Sequence, residues 1–466
     1  MKINIGQKEV IHFIGVGGIG MSGLAQIMKI MGFKVQGSDT NMNKNIENCK
    51  KLGVKFFLGQ KKKNLKDATI LVKSSAIKIN NPEVQEAKKR KLPIYERVEM
   101  LSNIVSLKKN IIVSGSHGKT TTTSLVSKIL LESKLDPTII NGGVINSIGS
   151  SVKLGKSDWS VVESDESDGS FLHIPFNYSI ITNIDNEHLD YYKTLKNLKN
   201  KFIEFIYKTP SFGKTFLCSD DKNIKKILPK LKNNNYYTFG LNQKSNFHIF
   251  NIIQNRKYSQ FSIRIKIPGM TKIIKNISIP LLGLHNIKNA TSALAVAFSI
   301  GVSDKIIKLG LKKFKGVQRR FNYLFKYRNS IFFDDYAHHP TEITEVLNGA
   351  KEVYYNKKIC CIFQPHRISR VKNLKRQFSN SFKKADTVVL CPIYKAGENI
   401  KLGFSYYNFA KEIAQNSKVN LIMIKNQHEL SKFVNQNIFD GQIVIGMGAG
   451  SISNWMRQLP KTLNGN

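Results

Sequence analysis

Long apolar runs are absent from this sequence of 466 residues. A membrane-spanning helix needs about 18 or more consecutive apolar residues, and no such stretch occurs. At the N-terminus only residues 10–14 form an apolar run before glycines interrupt it. This pattern is typical of a first β-strand and unlike a secretory signal peptide. We therefore expect a cytoplasmic protein with no membrane partner.

Cysteine is scarce and irregularly spaced. The five cysteines are an odd number without C-x-x-C spacing: Cys49, Cys218, Cys360, Cys361 and Cys391. This distribution argues against a disulfide framework and against a structural zinc site. Internal repeats and low-complexity linkers are also missing. We therefore assign no chemistry to the cysteines and expect ordinary globular domains.

Acidic residues are few compared with basic ones. The chain has 72 lysine and arginine residues against 32 aspartate and glutamate residues, a formal net charge of +40. Such a balance ordinarily indicates a nucleic-acid or anionic-membrane partner. Here the lysines are spread along the whole chain and are not interleaved with aromatics as in a nucleic-acid platform. We expect no nucleic-acid partner, although the charge would attract a polyanionic substrate.

What the sequence does contain predicts a multidomain α/β protein. Hydrophobic residues make up 41% of the chain, which is sufficient for packed cores. Since domains usually contain roughly 100–200 residues, a chain of this length should form two to four domains. Between residues 246 and 280 an alternating pattern predicts an antiparallel β insertion. Elsewhere strand-like runs alternate with helical stretches, at residues 10–14, 33–36, 111–113, 159–162, 178–182, 331–333, 359–363, 387–390 and 443–445.

A first glycine loop follows the first predicted strand. Residues 15–20 read GVGGIG and precede a predicted helix. Glycines at this position let backbone N–H groups approach a diphosphate. Asp39, after the second predicted strand, is placed as a ribose-binding acid would be. Alone, this loop leaves a nicotinamide or flavin dehydrogenase and other diphosphate-binding roles open.

A second loop carries the strongest signal for chemistry. Residues 115–120 read GSHGKT between a predicted strand and a predicted helix. Lys119 is placed to reach the β and γ phosphates of ATP, and the Thr120 hydroxyl to bind Mg²⁺. The loop departs from the GxxxxGK[ST] form, because Val113 stands where the first glycine would be and Gly115 lies three residues before Gly118.

This shortened loop resembles that of the Mur ligase family, G-[ST]-H-G-K-T-T-T. Seven further stretches agree with the family in the same order. The last two resemble C-terminal signatures of its alanine-adding branch, so the similarity covers nearly the whole chain. The stretches are DESD at 165–168, NIDNEH at 183–188, HNIKNA at 285–290, RRF at 319–321, DDYAHHP at 334–340, FQPHR at 363–367 and AGE at 396–398.

The resemblance implies three domains. Residues 1–107 would form a Rossmann-like UDP-sugar-binding domain and residues 108–318 a central P-loop ATPase-like domain with a mostly parallel sheet. Residues 319–466 would form a Rossmann-like C-terminal domain that binds the amino acid. A third glycine-rich stretch, GMGAGS at 446–451, follows a predicted strand, and we interpret it as structural.

The resemblance also implies an activity in peptidoglycan precursor synthesis. The substrates would be ATP, L-alanine and UDP-N-acetylmuramic acid, joined through an acyl phosphate with release of ADP and phosphate. Two Mg²⁺ ions, replaceable by Mn²⁺, would assist, and the protein would be a monomer or a dimer. A ligase that attaches a recycled tripeptide to the same nucleotide sugar is the nearest alternative. A dehydrogenase and a basic NTP-dependent nucleic-acid-binding protein account for fewer motifs.

Site residues follow from the same resemblance. UDP-sugar-binding residues would be Gly15, Gly17, Gly18, Gly20, Asp39 and Ser75. ATP-binding residues would be Gly115, Ser116, His117, Gly118, Lys119, Thr120, Thr121, Asn289, Arg320 and Asp335. Amino-acid-binding residues would be Tyr336, His366 and Arg367, metal ligands Thr120, Glu166 and His188, and catalytic residues Lys119, Glu166 and His188.

Some of these assignments leave alternatives open. We expect Glu166 to close the strand that begins at Trp159, where its carboxylate would complete the oxygen coordination of Mg²⁺. Asp165 and Asp168 could take its place. Arg319 and Arg320 could each contact nucleotide or form a salt-bridged linker. The asparagines in 285–290 could cap a helix or contact the nucleotide.

Overall fold

The structure is a computed structural model in which residues 5–6, 8–232, 235–398, 401, 403–439 and 441–463 are described. It is a mixed α/β protein with three mostly parallel sheets, which confirms the predicted fold class. The predicted domain bounds at 107 and 318 stay a prediction. The chain divides into two compact units, of which the first comprises Met1–Ile252, Gln260–Ile279 and Lys288–Lys315, and the second Ile253–Ser259, Pro280–Ile287 and Gly316–Asn466.

The first unit begins with a five-stranded parallel sheet in the order β3-β2-β1-β4-β5. Strand β1 has β2 on one side and β4 on the other, so the loop after β1 lies where the strand order reverses. Open α/β sheets bind ligands at this point. The elements are β1 (Val10–Ile14), α1 (Ile19–Ile30), β2 (Lys34–Asp39), α2 (Lys44–Lys51), β3 (Lys55–Leu58), β4 (Ile70–Lys73), α3 (Pro82–Lys89), β5 (Ile94–Glu96) and α4 (Arg97–Val105).

A ten-stranded sheet follows, which lies in the same unit apart from the turn between β13 and β14, in the order β15-β14-β13-β12-β11-β10-β6-β9-β7-β8. Strand β6 lies between β9 and β10 and pairs with both in parallel, so the loops after these three strands meet at one edge. The strands are β6 (Lys109–Ser114), β7 (Thr138–Ile145), β8 (Ser150–Lys153), β9 (Trp159–Glu163), β10 (Tyr178–Ile181), β11 (Lys214–Cys218), β12 (Tyr236–Gly240), β13 (Phe247–Gln254), β14 (Ser259–Ile267) and β15 (Met270–Ile279). The helices are α5 (Lys119–Glu132), α6 (Leu189–Tyr192), α7 (Leu195–Tyr207), α8 (Lys222–Ile227), α9 (Leu284–Ser299) and α10 (Asp304–Lys312).

The predicted β insertion is present. Strands β13, β14 and β15 are consecutive neighbours at one end of the ten-stranded sheet. The N–H of Asn255 donates to the Tyr258 carbonyl at 3.0 Å in the tight turn between β13 and β14, and β15 begins three residues after β14 ends, so both pairs are antiparallel hairpins. By contrast, β13 joins β12 in parallel, and through this pair the insertion extends the sheet.

The second unit contains a six-stranded sheet in the order β16-β17-β21-β18-β19-β20. The pair β16–β17 is antiparallel and the other pairs are parallel. Hydrophobic cores cover both faces, which explains why the central strands are almost continuously apolar. The elements are β16 (Asn322–Tyr327), β17 (Ser330–Asp335), α11 (Pro340–Val353), β18 (Ile359–Phe363), α12 (Ile368–Asn373), α13 (Lys375–Ser379), β19 (Thr387–Leu390), α14 (Tyr406–Ser417), β20 (Asn420–Met423), α15 (Gln427–Asn437), β21 (Ile443–Met447) and α16 (Ile452–Leu463).

The third glycine-rich loop, residues 446–451, is filled by the protein itself. Gln364 Oε1 accepts the backbone N–H of Ile452 at 3.0 Å, at the start of α16. A Cβ on Gly450 would lie 2.6 Å from Tyr394 Cγ, so glycine lets these side chains approach the loop. The helix N-terminus that would receive a phosphate is therefore capped by Gln364, which supports the structural interpretation.

The structure also bears on the cysteines and on membrane-spanning helices. All five cysteines are buried and form no disulfide. Within the described ranges, every helix is too short or too polar to cross a membrane.

The helix after the second glycine loop is held in place by a close helix–helix contact. Gly310 of α10 is buried against α5, and a Cβ at this position would lie 2.9 Å from the Cα of Ile129. Backbone atoms of a buried helix cannot move aside as a flexible side chain could. The contact therefore fixes how α5 lies against α10.

Gly310→Ala should destabilise the protein. Within a helix this change ordinarily stabilises by about 1 kcal/mol, whereas here the overlap should lower the free energy of unfolding by about 1–3 kcal/mol. Denaturant unfolding would measure the difference. Leu309→Ala, at a side chain 38% exposed on the same helix, is the matched control and should have a smaller effect. Unchanged or increased stability of Gly310→Ala would contradict the close packing.

Candidate active site

The first glycine loop is held by Asp39, the last residue of β2. The N–H of Gly17 donates to Asp39 Oδ2 at 2.8 Å, and Asn45 Nδ2 donates to the carbonyl of Gly17 at 2.9 Å. Ser75 lies in the exposed turn after β4, the other neighbour of β1. The structure thus brings all six predicted UDP-sugar residues to one edge of the first sheet.

Arg97 also lies at this edge, although sequence reasoning missed it. It is the first residue of α4, and its Nη1 lies 3.3 Å from the position that a Cβ on Gly20 would occupy. A guanidinium beside a diphosphate-type loop suits an anionic ligand. No local motif marks Arg97, because only the packing of α4 against α1 brings it there.

Hydrogen bonds from the segment after the neighbouring strand β10 hold the second loop in its conformation. Gly115 has φ +120°, and a Cβ there would lie 2.9 Å from the Thr182 nitrogen, so only glycine fits. Asn183 accepts the N–H of His117 at 2.9 Å and donates to its carbonyl at 2.9 Å. Asp185 accepts from His117 Nε2 at 2.9 Å. The segment after β10 therefore sets the shape of the loop.

Lys119 is nearly buried and forms an ion pair with Glu166. Its Nζ donates to the carbonyls of Gly115 at 2.6 Å and Ser116 at 3.2 Å, and to Glu166 Oε2 at 2.8 Å. Burial opposes the charge of Lys119, but attraction to Glu166 and Asp165 outweighs it and raises the Lys119 pKa. Burial raises the pKa of the Glu166 carboxyl, which the charge of Lys119 only partly offsets.

Glu163, not Glu166, closes strand β9, so the expectation for Glu166 is wrong on this point. Glu163 Oε1 accepts the hydroxyl of Thr120 at 2.9 Å, and its Oε2 accepts the N–H of Gly142 at 2.6 Å. A carboxylate on the strand beside the loop, bonded to the loop threonine, occupies the place of a Walker-B acid. Sequence reasoning missed Glu163 because the register of β9 against β6 selects it.

Glu166 instead belongs to a cluster with Asp165 and His188. One ligand atom from each residue lies within 4.8 Å of the others. Glu166 is fully buried, and its Oε1 accepts no hydrogen bond from any described residue while lying 3.6 Å from His188 Nε2. Two carboxylates and an imidazole, one of them with an unsatisfied oxygen, fit a divalent cation.

Asn289 lies beside the second loop, as predicted. Its Oδ1 is 2.8 Å from the position that a Cβ on Gly118 would occupy. The loop residues 115–121, Asn289, Glu166 and His188 are therefore together in the first unit. Arg320 and Asp335, also predicted to bind ATP, lie in the second unit.

In the second unit, Asp335 ends β17 and organises the turn beyond it. Its carboxylate accepts the N–H groups of Phe321 and Ala337, each at 2.7 Å. Burial raises the pKa of Asp335 to about 6. Arg320 lies over the Tyr336 ring at 5.2 Å. Arg319 donates to the Gly448 carbonyl at 2.7 Å, which gives it a structural role on the third loop.

His366 and Arg367 follow β18 at the same edge. The His366 ring stacks on Tyr394 at 5.6 Å and lies 3.4 Å from an Arg370 nitrogen. Burial, followed by the nearby His338 and arginines, lowers the pKa of His366 to about 3. Arg367 is exposed and has φ +67°, a strained conformation for a non-glycine residue at a ligand-binding edge. Sequence reasoning missed Tyr394 and Arg370.

Comparisons with known proteins agree with this arrangement. Three family profiles match successive parts of the chain: the Mur ligase family catalytic domain at residues 10–109, the Mur ligase middle domain at 113–297 and the Mur ligase glutamate ligase domain at 319–450. A UDP-N-acetylmuramate–L-alanine ligase of Pelagibacter ubique is 62% identical over 464 residues, which cover 99% of this chain and 100% of that protein.

The chain belongs to the Mur ligase family. A ligase of the same name from Rhodospirillum rubrum is 39% identical, with 97% of this chain and 94% of that protein covered. The crystal structure of a UDP-N-acetylmuramate-alanine ligase from Thermotoga maritima matches with a TM-score of 0.83 and 28% identity, over 97% of this chain and 99% of that one. The resemblance inferred from the sequence is confirmed.

A ligase of a different name shares the fold. A murein peptide ligase from Psychrobacter arcticus matches with a TM-score of 0.72 at 23% identity, over 98% of this chain and 99% of that one. At this identity the match concerns the fold alone.

His366 should make folding of this Mur ligase sensitive to acid. Its pKa of about 3 in the folded state lies below the ordinary value, so from about pH 6.5 downward the unfolded state binds a proton that the folded state does not. Between pH 7.5 and pH 5.0 the natural protein should lose about 1–2 kcal/mol more unfolding free energy than His366→Gln. Denaturant titrations at both pH values would measure this.

The control is a histidine change elsewhere in the same unit. His428 is exposed, and His428→Gln should keep the pH dependence of the natural protein. The raised pKa of Asp335 has the opposite effect on pH dependence, because it makes the folded state relatively more stable at low pH. This contribution is the same in the natural protein, His366→Gln and His428→Gln, so it cancels in the comparison. Equal acid sensitivity of His366→Gln and the natural protein would contradict a neutral, partly buried His366.

Proposed function

We propose that this Mur ligase joins L-alanine to the lactyl carboxylate of UDP-N-acetylmuramic acid, with conversion of ATP to ADP and phosphate. The product is UDP-N-acetylmuramoyl-L-alanine, a peptidoglycan precursor. The observation that carries the proposal is the position of Lys119 in a phosphate loop, among carboxylates, in a chain 62% identical over its length to a protein of that activity. We expect the reaction in the cytoplasm, catalysed by a monomer or a dimer.

Activation by phosphoryl transfer overcomes the low reactivity of a carboxylate towards an amine. A lactyl oxygen attacks the γ phosphorus, and the bond from that phosphorus to the oxygen retained by ADP breaks. The alanine amine then attacks the acyl carbon, loses a proton and displaces phosphate. Lys119 would neutralise the phosphate charge, by exchanging its contact with Glu166 for contacts with phosphate oxygens.

Two groups of residues are suited to hold divalent cations. Thr120 and Glu163 would hold one ion beside the phosphate loop, and Asp165, Glu166 and His188 a second. A bound Mg²⁺ supplies charge neutralisation and orients phosphate oxygens, and Mn²⁺ prefers similar ligands. This assignment adds Glu163 and Asp165 to the metal ligands inferred from the resemblance.

The remaining substrates would occupy the other two sheet edges. The glycine loop with Asp39 and Arg97 would bind the UDP diphosphate, since backbone N–H groups and a guanidinium both suit phosphate. Arg367 would bind the carboxylate of alanine, with Tyr336 and the neutral His366 nearby. Arg320, Asp335 and Asn289 stay predicted ATP contacts.

The deciding experiment compares amino-acid acceptors. Purified protein with Mg-ATP and UDP-N-acetylmuramic acid would receive L-alanine, the L-Ala-γ-D-Glu-diaminopimelate tripeptide or no acceptor, with phosphate release and product mass measured. Alanine-dependent turnover, with a product heavier by one alanyl residue, is expected. Turnover with the tripeptide alone would assign the recycling activity instead. No turnover by folded, ATP-binding protein would exclude both ligase activities.

Glu163→Gln should reduce kcat by about 100-fold, because the amide keeps the shape of the side chain and removes its negative charge. The Mg²⁺ concentration for half-maximal rate should rise as well. Steady-state rates across a Mg²⁺ titration would measure both effects.

Glu132→Gln is the matched control, since Glu132 is the last residue of α5, about 20 Å along the helix from Lys119. It should keep the natural rate and Mg²⁺ dependence. A Glu163→Gln enzyme with natural kcat would exclude Glu163 from the metal site.

A further inference from the structure

A polar network lies buried within the first sheet, beside its glycine loop. His12 on β1, Gln36 and Ser38 on β2, Asn64 before β4 and Glu83 on α3 are each at most 5% exposed. Glu83 accepts from Ser38 Oγ at 2.6 Å, Asn64 Nδ2 at 2.7 Å and His12 Nε2 at 3.3 Å. Buried polar groups of this kind stabilise one arrangement when every donor has an acceptor.

Two backbone carbonyls decide the direction of the hydrogen bonds. Gln36 Nε2 donates to the Asn64 carbonyl at 2.9 Å, so the amide nitrogen also faces His12 Nδ1 at 3.1 Å. Nδ1 must therefore accept, and the ring proton is on Nε2, which points at Glu83. Asn64 Nδ2 likewise donates to the Gly59 carbonyl at 2.8 Å, so this nitrogen is also a donor towards Glu83.

Both oxygens of Glu83 must consequently be acceptors. The side chain of glutamate meets this requirement, whereas the N–H group of a glutamine amide would have to face either Asn64 Nδ2 or His12 Nε2, and both of these are donors. The Glu83 side chain is fully buried, and each of its oxygens faces a donor, Asn64 Nδ2 at one and His12 Nε2 at the other. The first turn of α3 adds its positive dipole end, because Glu83 is the second residue of that helix.

The network contacts the backbone that shapes the glycine loop. The Ser38 carbonyl accepts the N–H groups of Gly15 at 2.8 Å and Val16 at 3.1 Å. The N–H of Gly59 donates to the Asp39 carbonyl at 2.7 Å, and Asn64 holds the carbonyl of the same glycine. Glu83, through Ser38 and Asn64, thus links the segments after β1, β2 and β3.

We propose that Glu83 is a positioning residue for the nucleotide sugar. Its two acceptor oxygens set the hydrogen-bond direction of the network and thereby fix the backbone at residues 15–16 and 38–39, where the diphosphate and ribose would lie. This inference rests on the proposed function for the location of the UDP-sugar, but its chemistry requires only a ligand with a nucleoside diphosphate.

The test is the pair Glu83→Gln and Ser38→Ala in the full chain, with binding of UDP-N-acetylmuramic acid and of UDP measured by calorimetry. Glu83→Gln should raise both Kd values about tenfold or more, because an amide leaves one buried donor facing another. Ser38→Ala should raise them less. The double variant should raise the Kd values by less than the product of the two single effects, since Ser38 and Glu83 are in direct contact and act through the same network.

A selective effect distinguishes positioning from general destabilisation. The KM values for ATP and L-alanine should change less than twofold in both variants. Glu86→Gln, on the same helix and outside the network, is the matched control and should leave every Kd unchanged. Natural Kd values for UDP in folded Glu83→Gln, or equal weakening of UDP and ATP binding in Ser38→Ala, would overturn the proposal.

Failure of the proposed function is a separate outcome. If the natural protein binds UDP but does not ligate alanine, the activity is wrong and the positioning role is still tested by UDP binding. If the natural protein binds neither UDP nor UDP-N-acetylmuramic acid, the first sheet is not a nucleotide-sugar site, and the positioning role falls with it.

Discussion

The arrangement of the loops after β6, β9 and β10 depends on one constraint, the buried charge of Lys119. An ammonium removed from water is unstable unless acceptors surround it, and here they are two loop carbonyls and the Glu166 carboxylate. These acceptors come from the loop after β6 and the segment after β9. Only neighbouring parallel strands with their carboxyl ends at one edge bring them to one point.

Carboxylates elsewhere in the chain hold backbone N–H groups at strand ends. Asp39 holds the first glycine loop, Glu163 holds Gly142 with Thr120, and Asp335 holds the turn around Ala337. In a chain with 32 acidic residues against 72 basic ones, such acids carry the local negative charge at the predicted sites. Removing one therefore releases a loop as well as a charge.

The edge of the second unit has the opposite electrostatic character. Positive groups around His366 contribute, after burial, to keeping its imidazole neutral, and the buried Asp335 has a raised pKa. A site of this kind favours a ligand with a carboxylate, because the surrounding cations attract it while the neutral imidazole can accept or donate a hydrogen bond.

The sequence by itself determined the α/β class, the two phosphate-type loops and the family, because glycine spacing and apolar strands are local patterns. It also identified Lys119 and Thr120 as members of the second loop, because they are part of a local motif. Tertiary structure decided that Glu163 closes β9, that Asn183 and Asp185 hold the second loop and that Gln364 caps the third. It also decided that Glu83 is connected to the first loop through Ser38. Each of these depends on which strands are neighbours and in which register, and a linear pattern of residues does not contain that pairing.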